Sequence, residues 1–239
     1  MSIKKIIIVL ILGTLVSVSS ARRSGAGELI EAIDTPTANA LKFETYRLSF
    51  RLYGEGSILT RLFYGIIMED LTLGLSFDAE NIIGSRTPGA QRPYLYVKMP
   101  LHISNTAWPS FSVGFDEQGY GNYISNKKGY QFSPMGFYLV FTQKGLAPGL
   151  DISGGINSDY SLYEESEEYI KGFANVMYML GPEFVLLSEV KDLNNWDASV
   201  NAGVKYILSQ ELNFKFSVLD IGGTDKAERI LKLNYSGEF

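Results

Sequence analysis

The chain has 239 residues, of which 46% are hydrophobic, 13% aromatic and 20% charged, with 24 glycines and no cysteine. This apolar content excludes a disordered chain, and the lack of cysteine excludes a disulfide scaffold, a thiolate metal site, a cysteine nucleophile and a lipid-modified cysteine. A formal charge of −5 and a pI near 5.1 argue against nucleic acid as a general partner.

Residues 1–21 read as a secretory signal. Lys4 and Lys5 open it, Ile6 to Leu12 begin an uncharged apolar stretch, and Ser19 and Ala21 are small enough for cleavage after Ala21. The competing reading, an uncleaved anchor, needs about 20 apolar residues, and the strict run is shorter. Loss of the signal removes two lysines and no acid, which moves the formal charge from −5 to −7.

Residues 22–43 come next, as a periplasmic segment ahead of the folded domain. Asp34-Thr35-Pro36-Thr37 reads as a turn, because Asp and Thr side chains can bond the following backbone and Pro36 fixes its own φ. Two roles are open: a structured lead-in, the preferred one, or a partial plug in the periplasmic mouth.

From residue 44 to 239 the apolar period is close to two, which predicts strands. Tyr46 to Leu52, Leu71 to Asp78, Phe111 to Asp116 and Leu212 to Val218 alternate without error. Further strands are expected near 58–67, 94–101, 135–143, 149–157, 169–180, 183–191, 198–208 and 229–236, about twelve in all. A soluble sandwich or barrel also alternates. Three features favour a membrane barrel: uniform strand lengths near the ~9–11 residues that cross a bilayer at a tilt, a Gly-, Ser- and Asn-rich polar face, and tyrosines recurring at strand ends.

The connections also differ by side. Met68-Glu69-Asp70, Gly181-Pro182-Glu183, Ser209-Gln210-Glu211, 102–109 and 144–148 are short, whereas 81–93, 119–134, 158–168, 192–197 and 221–228 are longer. That asymmetry predicts an antiparallel up-and-down transmembrane β-barrel in the bacterial outer membrane, with both termini periplasmic. On this reading Leu48, Phe50, Leu73, Leu75, Val113, Phe115, Phe214 and Phe216 face lipid. Leu231, Leu233, Tyr235 and the terminal Phe239 form a signal for the barrel assembly machinery, with Gly237 standing where an apolar residue is usual.

Chemistry is sparse. A Ser–His or Asp–His constellation needs a histidine, and His102, the only one, falls at the end of the fourth strand on the short-turn side. A barrel hydrolase acting on lipid or lipopolysaccharide is therefore the lesser reading, and a soluble β-barrel binding an apolar ligand is a third. Glu164, Glu165, Glu167 and Glu168, and separately Asp192, Asn194, Asn195 and Asp197, form acidic loops without EF-hand spacing, so no metal and no cofactor is expected. Gly119-Tyr120-Gly121 lacks the rest of a phosphate loop.

The polar parity predicts the interior. Arg47, Arg51, Arg61, Lys98, Lys171, Lys191, Lys205, Lys215 and Lys232 should point inward, against Asp78, Asp116, Asp151 and Glu189. An acidic protein would then have a basic lumen, either cross-paired and plugged or preferring anionic solutes and acidic glycans.

Leu29 to Ala38, which contains the string IDTPTA, followed by the strand from Tyr46 and by Gly54-Glu55-Gly56-Ser57-Ile58-Leu59-Thr60-Arg61, resembles uncharacterised Gram-negative outer-membrane barrels. These share that opening with YjbH-type proteins, which are associated with exopolysaccharide export. Gly119-Tyr120-Gly121 and Asn201 to Tyr206 are similar to the same group. The resemblance implies a non-enzymatic barrel, a narrow channel or an accessory in surface polysaccharide export. Its partners would be outer-membrane lipid and lipopolysaccharide, the assembly machinery and an anionic polysaccharide. It transfers no site residues.

Overall fold

The structure is a computed structural model that describes residues 29–66, 71–102, 108–124, 129–158, 170–194, 198–223 and 227–239. The proposed signal, the 164–168 acidic cluster, the Met68-Glu69-Asp70 turn and Asn195 to Asp197 lie outside the described residues.

Twelve strands close an antiparallel barrel. They are β1 (Thr45–Tyr53), β2 (Ser57–Ile66), β3 (Leu71–Glu80), β5 (Tyr94–His102), β6 (Ser110–Asp116), β9 (Gly136–Ala147), β10 (Leu150–Ser158), β11 (Ile170–Met179), β12 (Phe184–Lys191), β13 (Ser199–Ile207), β14 (Leu212–Leu219) and β15 (Glu228–Glu238). Each pairs with its neighbour in the chain, and β1 pairs with β15 from Thr45↔Glu238 to Leu52↔Leu231 to seal the cylinder. All twelve coincide with segments expected as strands, four of them from unbroken alternation.

Three short strands lie in the long connections: β4 (Gly89–Ala90), which pairs antiparallel with the end of β3, and the hairpin of β7 (Tyr120–Ile124) with β8 (Gly129–Phe132). Segment 119–134, expected as a plain loop, is thus partly built. Its two strands pair through Tyr120↔Phe132 and Ile124↔Gly129.

Alternation sets the two faces. On β3 the buried positions are Thr72, Gly74, Ser76 and Asp78, while Leu75 is 57% exposed and Phe77 45%. On β14 Asn213, Lys215 and Ser217 are buried, and Phe216 is 59% exposed. Among the described barrel strands, the outward parity carries one formal charge, Arg229, at the end of β15 that follows a long connection. The inward parity holds the arginines, lysines, acids and amides.

The seam between the first and last strands is covered by aromatics at the rim where the chain ends. Tyr46 stacks on Phe239 with centroids 6.0 Å apart, Tyr64 lies 5.9 Å from Phe239, and Tyr235 lies 6.2 Å from Tyr46. Phe184 and Tyr206 make a similar pair, 5.0 Å apart, at the same rim. Aromatic rings flanking an apolar band suit a membrane–water boundary.

Candidate functional site

The interior is occupied by the chain itself. Residues 30–41, expected ahead of the barrel, lie within it, and their side chains are buried without exception apart from Glu31 and Asp34, which are partly buried. The segment is a tight hairpin. Glu31 and Pro36 form an antiparallel bridge, the Ala32 N–H donates to the Thr35 carbonyl at 2.9 Å, and the Thr37 N–H donates to the Ile30 carbonyl at 3.1 Å. At its base the Thr37 hydroxyl and the Asn39 amide both donate to the Leu29 carbonyl. This segment, expected as a lead-in or a partial plug and here termed the plug, packs against inward-facing side chains of the wall. Thr37 and Asn39 satisfy the hairpin's own backbone away from water, whereas Thr35, read as part of the turn, gives its hydroxyl to Glu189.

Two wall side chains of opposite charge grip the plug's backbone. The Glu189 carboxylate accepts from the N–H groups of Ile33 at 3.1 Å, Asp34 at 3.0 Å and Thr35 at 2.9 Å, and from the Thr35 hydroxyl at 2.8 Å. Lys98 donates to the carbonyls of Ile30, Thr37 and Asn39 at 2.6, 2.9 and 3.0 Å. An anion therefore collects N–H groups and a cation collects carbonyls. Bonds to ionised groups are the stronger kind, and these are shielded from water.

Neutral wall groups complete the grip. Thr72 accepts from the Leu41 N–H at 2.8 Å, Thr142 accepts from the Ala38 N–H at 2.7 Å, and Ser112 donates to the Ala38 carbonyl at 2.6 Å. The Asn175 amide donates to the Thr35 hydroxyl and the Pro36 carbonyl at 2.9 and 3.1 Å. Apolar contacts fill the rest. Ala32 and Ile33 pack with Met177, Val185 and Leu187, Ala38 packs with Val140 and Phe173, and Ile30 and Leu41 pack with Phe63 and Tyr96.

The plug's acids meet the wall's cations. Asp34 pairs with Arg51 at 2.8 Å, Glu31 pairs with Arg61 at 3.3 Å, and Lys232 donates to Glu31. Arg61 also pairs with Asp116 at 2.6 Å, and Lys215 donates to the Ala32 carbonyl. Ten of the twelve barrel strands thus send a side chain to residues 30–41.

From the opposite rim the β7–β8 hairpin reaches the plug's tip. The Tyr120 hydroxyl donates to the Asp34 carboxylate, and the Arg51 guanidinium sits 4.5 Å from the centre of the Tyr120 ring. Phe132 stacks on Tyr120 at 4.9 Å and Tyr53 meets it edge-on at 5.5 Å. Burial pushes the Tyr120 phenol well above its ordinary range, reinforced by the Asp34 charge, so the hydroxyl remains a donor. Burial alone would raise Asp34, but the Arg51 charge, with Lys191 and the Tyr120 bond, holds it below the ordinary carboxylate value.

Of the thirteen side chains expected to line the lumen, Arg47, Arg51, Arg61, Lys98, Lys205, Lys215, Lys232, Asp78, Asp116 and Glu189 are buried, and Lys191, at the end of β12, is partly exposed. Lys171 and Asp151 share the inward parity but stand at opposite rims. Lys171 is partly exposed beside Asp192 at 3.7 Å, and Asp151 accepts from the Gly145 N–H at 2.8 Å. Leu48, Phe50, Leu73, Leu75, Val113, Phe115, Phe214 and Phe216 take the outward parity, each at least partly exposed. Sequence reasoning missed Glu31, Thr72, Ser112, Tyr120, Thr142 and Asn175 as parts of the site. Among the described residues no cluster of His, Asp and Glu could hold a metal, and the side chain of His102, at the end of β5, is not among those described.

An apolar belt around a closed cylinder, with polar and charged groups turned inward, is the arrangement in which a β-sheet can cross lipid without unpaired backbone. The protein has the fold of a membrane-spanning antiparallel β-barrel. No family model and no curated protein matches the sequence. Among solved structures, the chain is similar to the KdgM porin, with a TM-score of 0.48 and 12% identity over 81% of this chain and 99% of that one. It is also similar to Omp33 of Acinetobacter baumannii, with a TM-score of 0.45 and 8% identity over 84% and 100% of the two chains. The N-terminal β-barrel domain of Pseudomonas aeruginosa OprF gives a TM-score of 0.22 at 12% identity, over 82% and 96%.

Proposed function

We propose that this barrel is a non-enzymatic outer-membrane conduit, closed at rest by its own N-terminal segment and opened when that segment leaves. The observation that carries the proposal is the grip on residues 30–41, which runs around nearly the whole wall and relies on hydrogen bonds that water could replace. Behind the plug, the inward face holds Arg47, Arg51, Arg61, Lys98, Lys205, Lys215 and Lys232 against Asp78, Asp116 and Glu189. An emptied lumen would therefore favour anions, because a narrow bore keeps every solute within the ~8 Å screening length of its walls at physiological salt. Given the resemblance of residues 29–62 to YjbH-type openings, we assign the conduit to surface polysaccharide export, with an anionic polysaccharide as its passenger.

Planar-bilayer recording tests the reading. The intact protein should pass little steady current, and a deletion of residues 29–42 should give small, anion-preferring steps, strongest at low ionic strength. A deletion variant that is cation-selective, or an intact protein as conductive as the deletion variant, would overturn it.

A further inference from the structure

Four of the interior cations are not scattered but form one row. Lys205 of β13 is the cross-strand partner of Lys215 on β14, Lys215 is the partner of Lys232 on β15, and Lys232 is the partner of Arg51 on β1. Adjacent strands lie about 4.8 Å apart, so the row spans roughly 14 Å of the inner wall. All four side chains are buried, between 1% and 2% exposed. Like charges directly opposite each other on a sheet are destabilising, and here three such pairings follow in succession. On one side the row ends at Val185. On the other it meets Leu59 before it reaches an acid, Asp78.

The compensation comes from the plug. Glu31 lies on Lys232, Asp34 lies on Arg51, and the Ala32 carbonyl between them faces Lys215. Three acceptors carried on residues 31–34 thus meet three adjacent members of the row, with Glu31 on the middle one, Lys232, and Ala32 and Asp34 to either side. From the rest of the wall, Glu189 is the nearby acid, and its carboxylate is shared between the plug's own N–H groups and the Asn201 amide. We infer that the Lys205–Lys215–Lys232–Arg51 row is a binding site for an oligoanion, a solute carrying several phosphate, sulfate or carboxylate groups on one narrow backbone. In the closed protein, Glu31 and Asp34 occupy that site as a built-in substitute ligand. The inference rests on the plugged-conduit reading and deepens it: a passenger with the right charge competes for the row and releases the plug, so the key to the barrel is its own cargo class.

The chain contains no cysteine, so Ala40→Cys, in the buried plug, provides a clean reporter in the full-length protein reconstituted in vesicles. Its reaction with a charged maleimide should be slow and should accelerate at least tenfold with millimolar tripolyphosphate. Sodium chloride at matched ionic strength, and spermine, should leave it nearly unchanged. Tripolyphosphate binding measured by calorimetry should tighten at least tenfold in Glu31→Gln/Asp34→Asn, because the competitor is removed, and should be lost in Lys215→Gln/Lys232→Gln. Heat-modifiable gel mobility identifies variants that still form the barrel. If matched chloride works as well as tripolyphosphate, or if removing Glu31 and Asp34 weakens anion binding, the oligoanion site is wrong while the plug stands. If Ala40→Cys reacts rapidly from the start, the plugged resting state itself is wrong.

Discussion

The ring of Tyr46 lies across Gly237, its cross-strand partner on β15, so that a Cβ at Gly237 would fall 2.7 Å from the tyrosine oxygen. A glycine next to the chain end, unexpected in an assembly signal, is therefore the bed for the ring that closes the seam and stacks on Phe239. Gly237→Val should lift that ring and cost about 1–3 kcal/mol. The expected result is a lower temperature for the heat-induced gel shift, with a smaller loss for Gly237→Ala. Unchanged mobility in both variants would show that the seam does not depend on this packing.

Glu189 bears mainly on the plug, with one bond from the barrel wall, the Asn201 amide at 2.7 Å. Glu189→Ala strands three buried N–H donors on residues 33–35 at about 1–3 kcal/mol each. The plug should dissociate while the strands remain paired. Added protease should then clip the N-terminal segment of folded barrels that resist cleavage in the parent protein.

Tyr120→Phe removes the donor to Asp34 and leaves the ring stack in place. The loss should be about 1–3 kcal/mol, because the acceptor is a buried charged group. Hydrogen exchange should quicken at both the plug tip and the 120–132 hairpin. Exchange that quickens in the hairpin alone would mean that the two do not support each other.

The pH response follows from the depressed Asp34. A carboxyl whose folded value lies below its unfolded value of about 3.9 contributes stability that is fully present above that value and is lost as pH falls through the folded one. Its share of plug locking should therefore be constant from neutral pH down to about pH 5 and decline only below about pH 4. Labelling of Ala40→Cys in the parent and in Asp34→Asn, compared across that range, checks it: the difference between the two should shrink only at the acid end.

Facing is tested from outside. Leu75→Arg should cost about 2–4 kcal/mol near the bilayer midplane. Cysteines at Leu75 and Phe216 should resist aqueous reagents in intact membranes. Labelling at these sites with protection at a lipid-restricted probe would reverse the assignment.

The barrel was legible because membrane strands repeat every two residues, and that period survives in Leu71 to Asp78 or Leu212 to Val218 without help from tertiary contacts. The faces of 58–67, 135–143 and 183–191 were harder, because both parities carry apolar groups there. Leu59, Phe63, Val185 and Leu187 point inward because they pack against Ile33, Leu41 and Ala32 or their neighbours. The plug itself carries no period. Ala32 to Ala38 is short, small and neutral apart from Asp34, so nothing local distinguishes a lead-in from a buried hairpin. The clue lay elsewhere, in an inward parity holding many more cations than acids, which required a partner that the strands did not supply. Tyr120 left no comparable trace, since its role depends on how a long connection folds back.

The plug also fixes an order of events. Thr35 reaches Glu189 across 154 residues, Ala32 reaches Lys215 across 183 and Glu31 reaches Lys232 across 201, although the segment is joined directly to β1. The first part of the domain to leave the ribosome is thus among the last to be seated. Until it is, the four-cation row repels itself across the strands that must come together at the seam. Seating the hairpin supplies the counter-charge just where β14, β15 and β1 meet, so the element that closes the pore also acts as an electrostatic rivet for the cylinder. Barrels assembled without it should close slowly.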